Sequence, residues 1–109
     1  MLPLQHRINR GEDFRRILRS GVTSRSALGS IAMTPSNGPF RVGVIASKAV
    51  GGAVVRNRVK RMIRAAAHER ADSLAGWDVV IRCSETAKTL SFHEILSVID
   101  SALAKAMQK

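Results

Sequence analysis

From Ser47 to Arg64 the chain carries Lys48, Arg56, Arg58, Lys60, Arg61 and Arg64 and not one acidic residue. No other stretch limits the fold as much. Gly51 and Gly52 precede a run whose apolar residues recur at helical spacing. At about 100° per residue, Val55, Val59, Met62, Ile63 and Ala66 fall on one side. Arg56, Lys60 and Arg64 form an i, i+4, i+8 row on the other, with Asn57, Arg61 and His68 beside them. The spacing predicts an amphipathic helix over about residues 53–70. Like charges at i, i+4 repel, so a helix shaped for stability alone would interleave glutamates. Between Lys48 and Arg70 only Glu69 opposes the basic residues. The missing carboxylates point to an anion from outside the chain rather than to an ordinary solvated face. Arginine and lysine pair with phosphates through charge-assisted hydrogen bonds, arginine in a planar fork. Asn57 can both donate to and accept from a base edge or a 2′-hydroxyl.

The remaining composition agrees. A chain of 109 residues with 45% apolar content makes one domain, residues 1–109, with a single modest core. A net charge of +10 calls for a polyanionic partner. RNA, DNA and an anionic membrane all qualify on charge alone. No apolar run reaches the roughly 18 residues that span a bilayer. The first residues lack the apolar core of a signal peptide, and Cys83 has no partner for a disulfide. The chain reads as cytoplasmic.

In chain order, residues 1–8 read as a loose basic arm. Asn9 with Glu12 suggests a capping box for a helix from about Arg10 to Ser20. Phe14, Ile17 and Leu18 form its apolar side and Arg15, Arg16 and Arg19 its wet side. Ala27 to Thr34 reads as a strand that could break in two near Arg25 to Gly29. Pro35 to Pro39 is a strong turn, and Phe40 to Ala46 a second strand, so the two suggest an antiparallel hairpin. The basic helix follows, then a linker over residues 71–76 and a buried-type strand from Trp77 to Cys83. Strand, helix and strand make a βαβ unit with parallel strands. Ser91 with Glu94 caps a last helix that ends near Met107, with Phe92, Ile95, Leu96, Ile99 and Leu103 as its core stripe.

Catalytic signatures are missing. No two acids have the spacing of general acid/base or two-metal work. His6, His68 and His93 lack metal-ligand spacing, although His68 extends the basic face. Gly51-Gly52 is no phosphate-binding P-loop, because Lys48 precedes the glycines. The residues describe a binder, with no catalytic and no metal-ligating side chains of its own. A DNA-binding reading has neither helix-turn-helix spacing nor a zinc-finger pattern behind it.

Arg41-Val-Gly-Val-Ile-Ala-Ser-Lys48, Gly51-Gly-Ala-Val54 and Arg56-Asn-Arg-Val-Lys-Arg-Met-Ile-Arg64 together resemble the signature of the bacterial ribonuclease P protein subunit. The resemblance covers essentially the whole chain. It implies an α+β fold in the order αβββαβα, a two-layer sandwich with a four-stranded mixed sheet. It also implies a left-handed crossover carrying the basic helix, against the usual preference. The implied activity is removal of the 5′ leader of precursor tRNA by a catalytic RNA, with Mg2+ held through that RNA and one protein monomer per RNA. Lys48, Arg56, Asn57, Arg58, Lys60, Arg61, Arg64 and His68 would then face RNA. A cleft between the Phe14 helix and the open sheet, lined by Phe14, Arg15, Leu18, Val44 and Ala46, would receive the single-stranded leader. Leu18 stands where the family often has a second aromatic, which points to aliphatic packing there. The competing reading is a general RNA-binding or ribosomal-type protein with no part in cleavage.

Overall fold

The layering follows from side-chain alternation along the strands. The computed structural model describes residues 6–8 and 10–108. Its elements are α1 Gly11–Ser20, β1 Val22–Ser26, β2 Gly29–Pro35, β3 Arg41–Ile45, α2 Ala53–Glu69, α3 Ala71–Leu74, β4 Trp77–Cys83, a 3-10 turn Glu85–Thr89 and α4 Phe92–Met107. The strands form a mixed four-stranded sheet in the order β1-β2-β4-β3. β4 runs antiparallel to β2 and parallel to β3, so β3-α2-β4 is the expected βαβ crossover.

On one face, Ile31 and Met33, Val42 and Val44, and Val79, Ile81 and Cys83 meet Val59, Ile63 and Ala66 of α2 and Ile95, Ile99 and Leu103 of α4. Each fully buried valine, isoleucine, leucine or methionine among them contributes about 1.5–3 kcal/mol. The alternate residues face the other way. There Ala32 and Val80 meet Ile8 and Ile17, with Phe14, Leu18 and Ile45 half-buried around them. The two-layer sandwich is the α2–α4 side, and α1 covers part of the second face.

α4 starts where its sequence signature placed it. Ser91 Oγ accepts the Glu94 N–H at 3.2 Å, and Glu94 Oε1 accepts the Ser91 N–H at 2.9 Å. The backbone hydrogen bond from Ser91, aided by the one to its side chain, holds the Glu94 carboxyl below its ordinary pKa.

Three expectations are corrected. The hairpin does not join the strands on either side of Pro35–Pro39. It joins β1 to β2 through Ala27 and Leu28, in register from Val22↔Met33 to Ser26↔Gly29. β4 inserts between β2 and β3 because its Asp78–Ile81 segment is buried on both faces, as a central strand must be. Next, the basic arm is docked where it is described. The His6 ring stacks on Phe40 at 4.3 Å, Arg7 bridges Val42 in parallel, and Ile8 is buried with its N–H on the Val42 carbonyl at 3.0 Å. Finally, α1 begins at Gly11 with Arg10 in the cap position and no side-chain cap. Asn9 lies outside the described residues.

Candidate nucleic-acid interface

The start of α2 is left open to an anion. Gly51 has φ +152, and a Cβ there would sit 2.9 Å from Val55 Cβ. Gly52 occupies the cap with no side-chain hydrogen bond, and no acid lies in the first turn. The positive end of the helix dipole therefore has no local counter-charge. Lys48 stands exposed in the preceding turn.

Along α2, Asn57, Arg58, Arg61 and His68 are exposed, while Arg56, Lys60 and Arg64 are half-buried. The i, i+4, i+8 row thus runs along the flank of the apolar stripe rather than opposite it. Nε of Arg56 and of Arg64 is enclosed without a hydrogen-bond partner. Such an orphan donor costs about 1–3 kcal/mol. Burial first, and then the charge of Arg7, push the Arg64 pKa down. Arg7, docked beside β3, therefore extends the cationic surface. Reading it as part of a loose arm had hidden this.

Elsewhere the chain neutralises some of its cations. Asp78, 1% exposed, accepts from Arg41 Nε at 3.0 Å, from Arg41 Nη2 at 2.7 Å and from Arg16 Nη2 at 3.3 Å. Asp13 adds contacts to Arg16 at 3.6 Å and Arg41 at 3.7 Å. Arg70, the last basic residue of the cationic stretch, is held by Asp100 of α4 at 2.8 Å. Among the described residues, Arg56, Arg58, Lys60, Arg61 and Arg64 have no such ion pair.

The second face of the sheet has two halves. One lies under α1. The Phe14 ring packs on Gly43 so closely that a Cβ there would fall 2.5 Å from a ring carbon. Arg15 is exposed and Leu18 half-buried. The other half lies beyond the helix. Register places Arg25, Ser30, Arg82 and Ile45 in one line across it. Val44 and Ala46 do not belong to this face. Both pack into the α2–α4 core, and the β3 positions that face Phe14 are Gly43 and Ile45. The cross-strand line was missed because it emerges only once β4 is placed beside both neighbours. Gly43→Ala is expected to cost about 1–3 kcal/mol by overpacking and to shift the Phe14 ring. Thermal unfolding and the ring's NMR shifts measure the two effects.

Burial pushes the Cys83 thiol up to about 11, with Lys60 partly offsetting it, so the thiol is neutral and a poor nucleophile. Among the described residues, no three His, Cys, Asp or Glu side chains group to hold a metal ion. No helix among them is long and apolar enough to cross a membrane.

Comparison with known proteins places this geometry. The family model described as ribonuclease P matches residues 2–107. A ribonuclease P protein component of Beutenbergia cavernae is 41% identical over 106 residues, covering 94% of this chain and 89% of the relative. One of Kocuria rhizophila is 36% identical over 112 residues, covering 100% and 98%. The solved structure of the Staphylococcus aureus RNase P protein superposes with a TM-score of 0.78 at 27% identity, covering 93% of this chain and 94% of that one.

Proposed function

The chain belongs to the ribonuclease P protein family, and from that premise we propose that it is the protein subunit of a tRNA 5′-maturation ribonucleoprotein. In this reading α2 grips the catalytic RNA. The observation that carries it is the contrast in neutralisation. Arg16, Arg41 and Arg70 are tied to Asp78 and Asp100, whereas α2 keeps its cations free of carboxylates among the described residues. Phosphates of a folded RNA complete the row. A phosphate that draws Arg56 or Arg64 outward also relieves its enclosed Nε. Lys48, Asn57 and His68 widen the contact at either end of the helix.

The cleft bounded by Phe14, Arg15 and Leu18 receives the single-stranded leader of precursor tRNA. Its floor is the open half of the sheet, where Arg25 and Arg82 can contact phosphates and Ile45 a base. The bond is cut by the RNA with its own Mg2+. Guanidinium and ammonium groups on α2 repel a divalent cation, so this donor set does not fit a magnesium site of the protein alone.

The test is reconstitution with the catalytic RNA while magnesium is lowered. Cleavage of precursor should persist at lower magnesium with the protein than without it. If six side chains each neutralise one phosphate, log affinity should fall against log salt with a slope of about −4 to −5. Equal binding to unrelated structured RNAs, with no dependence on leader length, would instead mark a general RNA-binding protein.

A further inference from the structure

The α2 surface holds more than charge. A groove of about 740 Å³ crosses it between the helix and the start of α4. That size lies within the range of small-molecule sites, about 300–1,000 Å³. Phe92, Met62 and Ala65 are its apolar lining, Arg58 and Arg61 together with Arg7, Arg64 and His68 its basic groups, and Glu69 stands at one end.

Each part is fixed locally. The Ser91 capping box places Phe92 at the first helical position of α4. One side of the ring packs against the core, and His93 meets it edge-on at 6.4 Å and 74°. The ring is half-buried and held in place. Met62 is half-buried as well, and Ala65 is exposed. Ala65 adds only a methyl group to the same wall, and Arg58 and Arg61, which have no ion pair among the described residues, line the groove with them.

We propose that this groove takes one unpaired nucleotide of RNA, its base against the Phe92 ring and its phosphate on Arg58 and Arg61. The proposal rests on the reading of α2 as an RNA-binding face. Charge complementarity selects the occupant: arginines along the rim favour a phosphate, and the apolar lining favours a flat base. The Glu69 carboxylate can accept from the exocyclic amino group of adenine, cytosine or guanine. Uracil has no such donor, so it should bind more weakly.

Titration of the full chain with a single-stranded RNA trinucleotide, and with the same strand made abasic at its centre, tests this. The Phe92 ring protons should shift with the intact strand and not with the abasic one. Phe92→Leu keeps apolar packing but loses the ring, and should weaken trinucleotide binding about tenfold, as expected for one lost stack. Its salt slope should stay unchanged. Phe92→Trp should bind at least as tightly as the parent, which an aliphatic packing role would not give. Arg61→Gln should lower the slope by about one. Affinity for the whole catalytic RNA, measured in parallel, separates two failures. If that RNA binds tightly but the ring does not shift and Phe92→Leu binds like the parent, the stacking site is overturned and the interface stands. If the catalytic RNA itself does not bind, both fall. The ring shifts and Phe92→Trp decide the matter even if Phe92→Leu folds poorly, which thermal melting reports.

Discussion

Asp78→Asn is expected to destabilise the protein by about 3 kcal/mol, the low end of what breaking a buried ion pair costs. Asp78 is the buried acid that joins three elements. It lies on β4, Arg41 on β3 and Arg16 on α1, at 2.7–3.3 Å. The low end applies because Arg41 and Arg16 keep 33% and 46% of their side chains exposed, so water screens the stranded cations. For a domain of this size, that corresponds to a drop in Tm of roughly 10–20 °C. The pH dependence gives a second check. Burial alone would raise the Asp78 pKa, but hydrogen bonds and charge from Arg41, then Arg16, outweigh it and hold the carboxyl below its ordinary value. A depressed folded pKa means stability that is present above the unfolded value, about 3.9, and lost as pH falls through the folded one. The gap between parent and variant should therefore be flat from pH 5 to 8 and narrow below about pH 4. Urea unfolding at pH 7 and pH 3 measures it. A gap under 1 kcal/mol at pH 7, or one that does not narrow in acid, would contradict this account. Because Arg16 ties α1 to the sheet here, the variant should also loosen the Phe14 side of the cleft.

That network was not legible in the sequence. Asp78 follows Trp77 at what reads as a strand boundary, where an acid usually needs no explanation. Its partners lie 37 and 62 residues away, and only the sheet order brings them together. Local signals fared better. The Ser91–Glu94 box fixed the start of α4 within one residue, and the 3.6-residue period fixed α2 within one residue of each end. Both depend on neighbours within a turn. Strand pairing does not. Pro35 to Pro39 is a strong turn, but a turn says only that the chain reverses. It does not say whether the next strand lies beside the last one or one place further on. The same limit explains Val44 and Ala46. Alternation gives the two faces of β3 as separate sets, yet Val44 and Ile45 are both apolar. Which set meets the helices was decided by α2 and α4 landing on the Val42–Val44 side. The identity of the cationic helix was plain, whereas the part played by Arg7 depended on a docked segment that looked like a tail.

The double reversal Lys60→Glu with Arg61→Glu should cost at least about a hundredfold in affinity for the catalytic RNA. Two charge-assisted contacts at about 1.5–3 kcal/mol each set that scale, and two new carboxylates facing phosphates add repulsion. The salt slope should become shallower by about 1.5–2, since two neutralised phosphates are lost. Net charge alone could produce a milder version of this result, because the pair takes the chain from +10 to +6. A matched control removes that ambiguity. Arg19→Glu with Lys105→Glu makes the same change in charge at exposed positions on α1 and α4. If the row on α2 is what the RNA grips, the control should lose only a few-fold and keep its slope. Lys60 and Arg61 have no ion pair among the described residues, so their reversal breaks no internal bond. It also ends a like-charge row, Arg56-Lys60-Arg64, whose repulsion the free helix bears. The reversed protein should therefore be as stable as the parent, or slightly more so, while binding far worse. Stability and affinity moving in opposite directions is what a surface shaped for an outside anion requires. Equal losses of affinity in the two double variants would show that only the overall charge matters.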